Sequence, residues 1–164
     1  MSSATPDRIA QAVQATAVLS VILWSKVFVT NIGLGGAKMY AGTRPAEDTY
    51  QKSAETATEE EKQNLDRAQR MVNNDLENIP YTMVLAWGSV YCIGQSAAAG
   101  SGSSSSVDSA ALAHIALFTL FTVSRYAHSI VYMRRLSTAR SIVWFIGVLC
   151  SFAIAINGAI VSFK

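Results

Sequence analysis

The chain is poor in charge. Only 15% of its 164 residues are ionisable Asp, Glu, Lys or Arg, against 51% hydrophobic, where a soluble domain is closer to a quarter charged. With a mean hydropathy of +0.27, this excludes a disordered chain and argues against an ordinary water-soluble domain. Basic runs are missing too, and a net charge of +2 is too small to announce a nucleic acid as partner. There are two cysteines, Cys92 and Cys150, both within apolar sequence. They suggest neither a disulfide framework nor a metal site, and read as small hydrophobes in a helix interface. No Gly-x-x-x-x-Gly-Lys loop is present to cradle a nucleotide phosphate, and no Asn-x-Ser/Thr sequon. The apolar runs do not alternate with period two, so barrel strands are excluded. The first of them opens with Pro6-Asp7-Arg8 and is too long for a cleaved leader; it is expected to be a retained anchor.

What the chain has is apolar length between clusters of charge. Uncharged stretches of 17, 30, 16 and 23 residues separate Arg8 from Lys26, Glu77 from Asp108, Asp108 from Arg125 and Arg140 from Lys164. A bilayer core takes about 20 apolar residues per helix, and in lipid the backbone must bond to itself. The expectation is an all-α integral membrane protein, a single domain over 1–164 with transmembrane helices at about 9–34, 79–98, 110–133 and 141–163. Between the first two lies a polar stretch, 38–77, with six basic and nine acidic side chains. Within it, Glu59-Glu60-Glu61-Lys62 reads as the solvated start of the second helix. The glycine-rich Asn31-Ile-Gly-Leu-Gly-Gly reads as a helix stop, and SAAAGSGSSSSV as a flexible linker. Basic side chains mark the cytoplasmic side. The 38–77 stretch and the Arg134, Arg135 and Arg140 turn are therefore expected in the cytosol, with both termini opposite.

Two polar stripes enter the apolar helices. Arg67, Arg70, Asn74, Glu77 and Tyr81 recur at steps of three and four, which puts them on one helical face. Arg125, His128 and Tyr132 form a second stripe, followed by Arg140-Ser141 at the start of the last span. Charge at membrane depth usually faces a cavity or a partner. One reading is a self-satisfied network, for example Glu77 with Arg125 or Lys26. The other is a ligand site, favoured because guanidinium groups outnumber carboxylates and so invite an anion. Arginine suits carboxylates, Glu77 suits an ammonium, and Asn74 an amide; a small zwitterionic peptide answers to all three. His114, alone on an apolar face, reads as a satisfied interface residue, and the three tryptophans as packing, with Trp144 near enough to Arg140 to line the site.

The run Arg70-Met-Val-Asn-Asn74-Asp75-Leu76-Glu77-Asn78 resembles the Asn-Asp-Leu-Glu-Asn signature of the MAPEG superfamily, the membrane-associated proteins of eicosanoid and glutathione metabolism. Arg125-Tyr-Ala-His128-Ser-Ile-Val-Tyr132 is similar to that family's Arg-x-x-His-x-x-x-Tyr motif. Lys26 and Arg140-Ser141 also stand where the family has a lysine and an Arg-Ser pair, and the likeness is nearest the glutathione transferase and prostaglandin E synthase branches. The resemblance implies a four-helix protomer in a homotrimer of the endoplasmic reticulum or mitochondrial outer membrane. It implies glutathione bound between subunits by Lys38, Arg70, Asn74, Glu77, His128 and Tyr132, with Arg140 and Ser141 catalytic. Lys26, Arg67 and Arg125 would support them from behind. The activity implied is a glutathione transferase that conjugates glutathione to a lipophilic electrophile, with glutathione peroxidase activity on a lipid hydroperoxide, the second substrate being reached through membrane lipid. Two other readings are a prostaglandin-type isomerase and a non-catalytic lipid-binding or structural subunit. Lys38 replaces a family arginine, and Tyr132 to Arg140 spans eight positions where the family has nine. In a continuous helix that would swing Arg140 by about 100°.

Overall fold

The computed structural model describes residues 4–100 and 103–163. Four long helices follow one another: α1 (Ala4–Tyr40), α2 (Glu59–Ala99), α3 (Ser104–Met133) and α4 (Ser137–Ser162), with a short 3-10 turn at Ala54–Thr56 before α2. They form a bundle in which α2 and α3 pack on each other and on both outer helices, while α1 and α4 do not meet. Two apolar layers fill it. One joins Ala12, Val90, Ile93, Val107, Ala111 and Val161; the other joins Leu23, Ile79, Ala86, Phe118, Phe121 and Ile154, with Cys150 among them as a small hydrophobe. Where α4 crosses α2, Gly158 is needed for space, because a Cβ there would lie 2.8 Å from the Cα of Ser89.

By length and composition α1, α3 and α4 are each able to cross a membrane; α2 is not among them. Its expected span, 79–98, is diluted by Pro80, Tyr81, Gln95 and several hydroxyls. Part of that polarity is turned inward, since Thr82 is buried with its Oγ1 2.6 Å from Ser151 Oγ.

Three expected boundaries move. The stretch 38–77 is helical at both ends, leaving only 41–58 between α1 and α2. Helix α2 opens at Glu59 in a capping box: Thr58 accepts from the Glu61 amide, and the Glu61 carboxylate accepts from the Thr58 amide at 2.7 Å. The glycines at 33–36 do not stop α1, because all of them keep helical backbone and the turn waits for Gly42, at φ 65. There the Thr43 amide bonds Lys38 O and the Gly42 amide bonds Met39 O, a Schellman ending. The serine linker shrinks as well, because α3 begins at Ser104 behind an N-cap serine, Ser103; its residues 101 and 102 lie outside the described residues.

Candidate active site

Asp75 is the centre of a buried ion cluster. Its carboxylate is fully buried and accepts from Lys26 Nζ, from Arg125 Nη2 at 3.1 Å and from Thr30 Oγ1 at 3.4 Å. Arg125 Nη2 also donates to Asn74 Oδ1. A guanidinium has only donors, so this contact fixes the carboxamide with its oxygen inward and its NH2 free to face outward. Lys26 and Arg125 are both almost wholly buried. Two basic groups against one carboxylate leave the cluster short of an anion, and the cost of burying charge is offset by these bonds, although among the described residues no group accepts from Arg125 Nε.

A chain of ring contacts begins beside the cluster and runs toward the surface. One turn beyond Arg125, the buried His128 packs against Tyr132 with ring centroids 5.7 Å apart. Among the described residues no group bonds His128 Nδ1. Arg140 in turn lies over the Tyr132 ring, its Cζ 4.9 Å from the centroid, a cation–π arrangement. The eight-residue spacing is thus absorbed by the turn between α3 and α4. Arg135 takes a left-handed backbone, φ 61, and α4 restarts at Ser137.

Arg140 and Tyr132 line a cavity of about 450 Å³ between the first half of α2 and the α3–α4 turn, shared with Gln63, Asp66, Arg67, Arg70, Arg135 and Ser137. Four guanidinium groups face one carboxylate. That carboxylate, Asp66, is paired with Arg70 at 2.9 Å, which raises the Arg70 pKa above its ordinary value. Such a lining can hold an anion with more than one acidic group.

The expected residues therefore divide. Arg70, Tyr132 and Arg140 come together at the cavity, and Arg67, expected behind the site, lines it directly. Lys26, Arg125 and Asn74 belong to the buried cluster, and His128, one helical turn beyond Arg125, packs on Tyr132. Ser141 Oγ is turned back along its own helix, donating to Ser137 O at 3.3 Å. Glu77 is exposed on α2, and Lys38 lies in the last turn of α1; neither lines the cavity. The self-satisfied network imagined around Glu77 exists, but its carboxylate is Asp75. Helical phase is the reason: Val72, Asp75, Ile79 and Thr82 form the buried face of α2, and Glu77 lies off it. That signal was available in the spacing of apolar residues around Asp75. Arg135 was also missed as a lining residue, and no periodicity marks it, since it sits in a turn.

His114 is satisfied as expected of an interface residue. Thr16 Oγ1 donates to Ala12 O and stands 2.8 Å from His114 Nε2, while Ser89 Oγ lies 3.4 Å from Nδ1. Trp144 is not among the cavity's lining residues.

A helical membrane bundle with a basic cavity at one end of its helices defines the class of protein. The MAPEG family model matches residues 9–160, and the chain belongs to that family. Comparison with curated proteins found no match, and comparison with solved structures found none. Membership makes this an integral membrane protein of a family concerned with glutathione and eicosanoid metabolism.

Proposed function

We propose that the protein is a membrane-bound glutathione transferase that conjugates glutathione to lipophilic electrophiles, with glutathione peroxidase activity on lipid hydroperoxides. The observation that carries this reading is Arg140, held over Tyr132 in a cavity where arginines outnumber carboxylates. Bound glutathione supplies a thiol, which is the nucleophile once ionised. A thiol of pKa about 8.5 is mostly protonated at neutral pH, and an adjacent guanidinium lowers that value. Arg140 is assigned this role. Arg70 and Arg67 hold carboxylate, Asn74 offers its outward NH2 to a carbonyl, and Ser141 donates to sulfur once its hydroxyl leaves Ser137 O. An apolar groove of about 620 Å³ between α1 and α2, lined by Trp24, Val27, Leu76, Ile79, Met83 and Trp87 among others, suits a second substrate arriving through lipid.

Lys38 and Glu77 lie outside the cavity of their own chain, which favours a site completed by a second copy, as in a homotrimer with glutathione between subunits. The reading places the basic turns in the cytosol, both termini opposite, and the protein in the endoplasmic reticulum or mitochondrial outer membrane. The test is a glutathione titration of detergent-purified protein, followed by thiolate absorbance and chlorodinitrobenzene turnover. The expected result is a thiolate signal that Arg140→Ala abolishes, and binding that Arg70→Ala or Glu77→Ala weakens. Absence of glutathione binding by the wild type would overturn the enzyme and leave a lipid-binding or structural subunit.

A further inference from the structure

Arg135 occupies a position that its side chain makes costly. Helix α3 closes with the Leu136 amide on Val131 O and the Arg135 amide on Tyr132 O, both at 3.1 Å. This is the Schellman ending, and Arg135 stands at the left-handed residue where glycine is strongly preferred. It is the one non-glycine residue with positive φ among those described. The two other left-handed turns, after α1 and α2, both use glycine. Nothing in the backbone calls for arginine here. The side chain lines the basic cavity beside Arg140 and Ser137, and among the described residues its guanidinium has neither an ion pair nor a hydrogen bond within the chain. Arg70, by contrast, is engaged by Asp66, and Arg140 lies on Tyr132.

We infer that Arg135 is a ligand-binding residue of this cavity, turned into it by the left-handed α3 ending to hold a carboxylate of the bound peptide. The inference rests on the glutathione reading above and adds a contact to it. A tripeptide with two carboxylates and an ionised thiol carries three anionic groups, so Arg140 at the sulfur leaves two carboxylates for the other guanidiniums. Arg70 already shares its charge with Asp66, whereas Arg135 is uncommitted.

The experiment separates binding from stability. Arg135→Gly removes both the guanidinium and the backbone strain, Arg135→Asn tolerates the same φ without the charge, and Arg135→Lys keeps charge without the bidentate fork. Each variant is purified in detergent, and its melting temperature and glutathione dissociation constant are measured. The expected result for Arg135→Gly and Arg135→Asn is a melting temperature equal to or above wild type with glutathione bound about 10- to 100-fold more weakly. Arg135→Lys should fall between them and the wild type. Wild-type affinity in the Gly and Asn variants overturns the inference while leaving the glutathione reading intact. Failure of the wild type itself to bind glutathione overturns that reading and the inference with it.

Discussion

Removing the carboxylate of Asp75 would leave Lys26 and Arg125 facing each other in a buried site with nothing between them. The expected cost of Asp75→Asn is about 3 kcal/mol or more, the range for breaking a buried ion pair from one side. Replacing Lys26 by Met in the same chain should recover part of it, because the second uncompensated cation is then gone. Melting in detergent measures both. Glu77, two residues along, is expected to behave in the opposite way. It is exposed, so Glu77→Gln should leave the stability within about 0.5 kcal/mol of wild type while weakening glutathione binding. Equal destabilisation by the two substitutions would show that Glu77 has a structural partner. Neighbouring acidic residues of one motif thus divide into one buried in an ion cluster and one exposed on the helix surface.

At the scale of the helices, the joints decide what each element tolerates. Gly42 combines φ 65 with a Cβ position 2.4 Å from Ala54 N and Lys52 O, so Gly42→Ala strains the backbone and displaces the 3-10 turn at once. Gly158→Ala should be costly, because the new methyl meets the Ser89 backbone. Gly147→Ala should be milder, since the nearest atom, at 2.9 Å, is Ser124 Oγ, which can rotate. A melting temperature lower in Gly158→Ala than in Gly147→Ala is the outcome to look for. The start of α2 is sensitive to acid. Lys52 and the Thr58 backbone and hydroxyl hold the Glu61 carboxyl well below its usual range, to about 2. Because the folded pKa is depressed, its contribution is complete above the unfolded carboxyl value of about 4.3 and fades as pH falls toward 2. The difference in melting temperature between wild type and Glu61→Gln should therefore shrink over that interval.

The whole molecule shows an unequal division between the ends of its bundle. One end closes on alanine, valine and a histidine clamp at Thr16, His114 and Ser89. Toward the other end lie the buried cluster and the basic cavity. On the proposed glutathione reading, the apolar end is the part held in lipid and the basic end the part that meets a charged ligand. If two copies complete each site, Lys38→Ala and Arg140→Ala co-expressed in one cell should recover a fraction of the thiolate signal that neither gives alone. Mixed assemblies would contain some sites with both residues. No recovery, with mixed assemblies demonstrated by two affinity tags, would place the entire site within one chain.

Four helices, their order and the two polar stripes were legible because lipid allows few alternatives. A long apolar run must satisfy its own backbone, and a residue every three or four positions must share a face. The family was legible for a related reason, since two separated motifs carry charges that such helices do not hold without cause. Which carboxylate is buried was legible only in part: Val72 and Ile79 put Asp75 on an apolar face of α2, but the packing of α1 and α3 decides that this face is the buried one. The end of α1 was not legible, because three local glycine signals lost to one turn whose backbone needs a missing Cβ. The α3–α4 turn makes the same point most directly. The sequence determined that Tyr132 and Arg140 are eight residues apart, but only the left-handed backbone at Arg135 decided that they touch. Contacts across a turn depend on the path of the chain in space, and one reversed dihedral changes that path without changing the spacing.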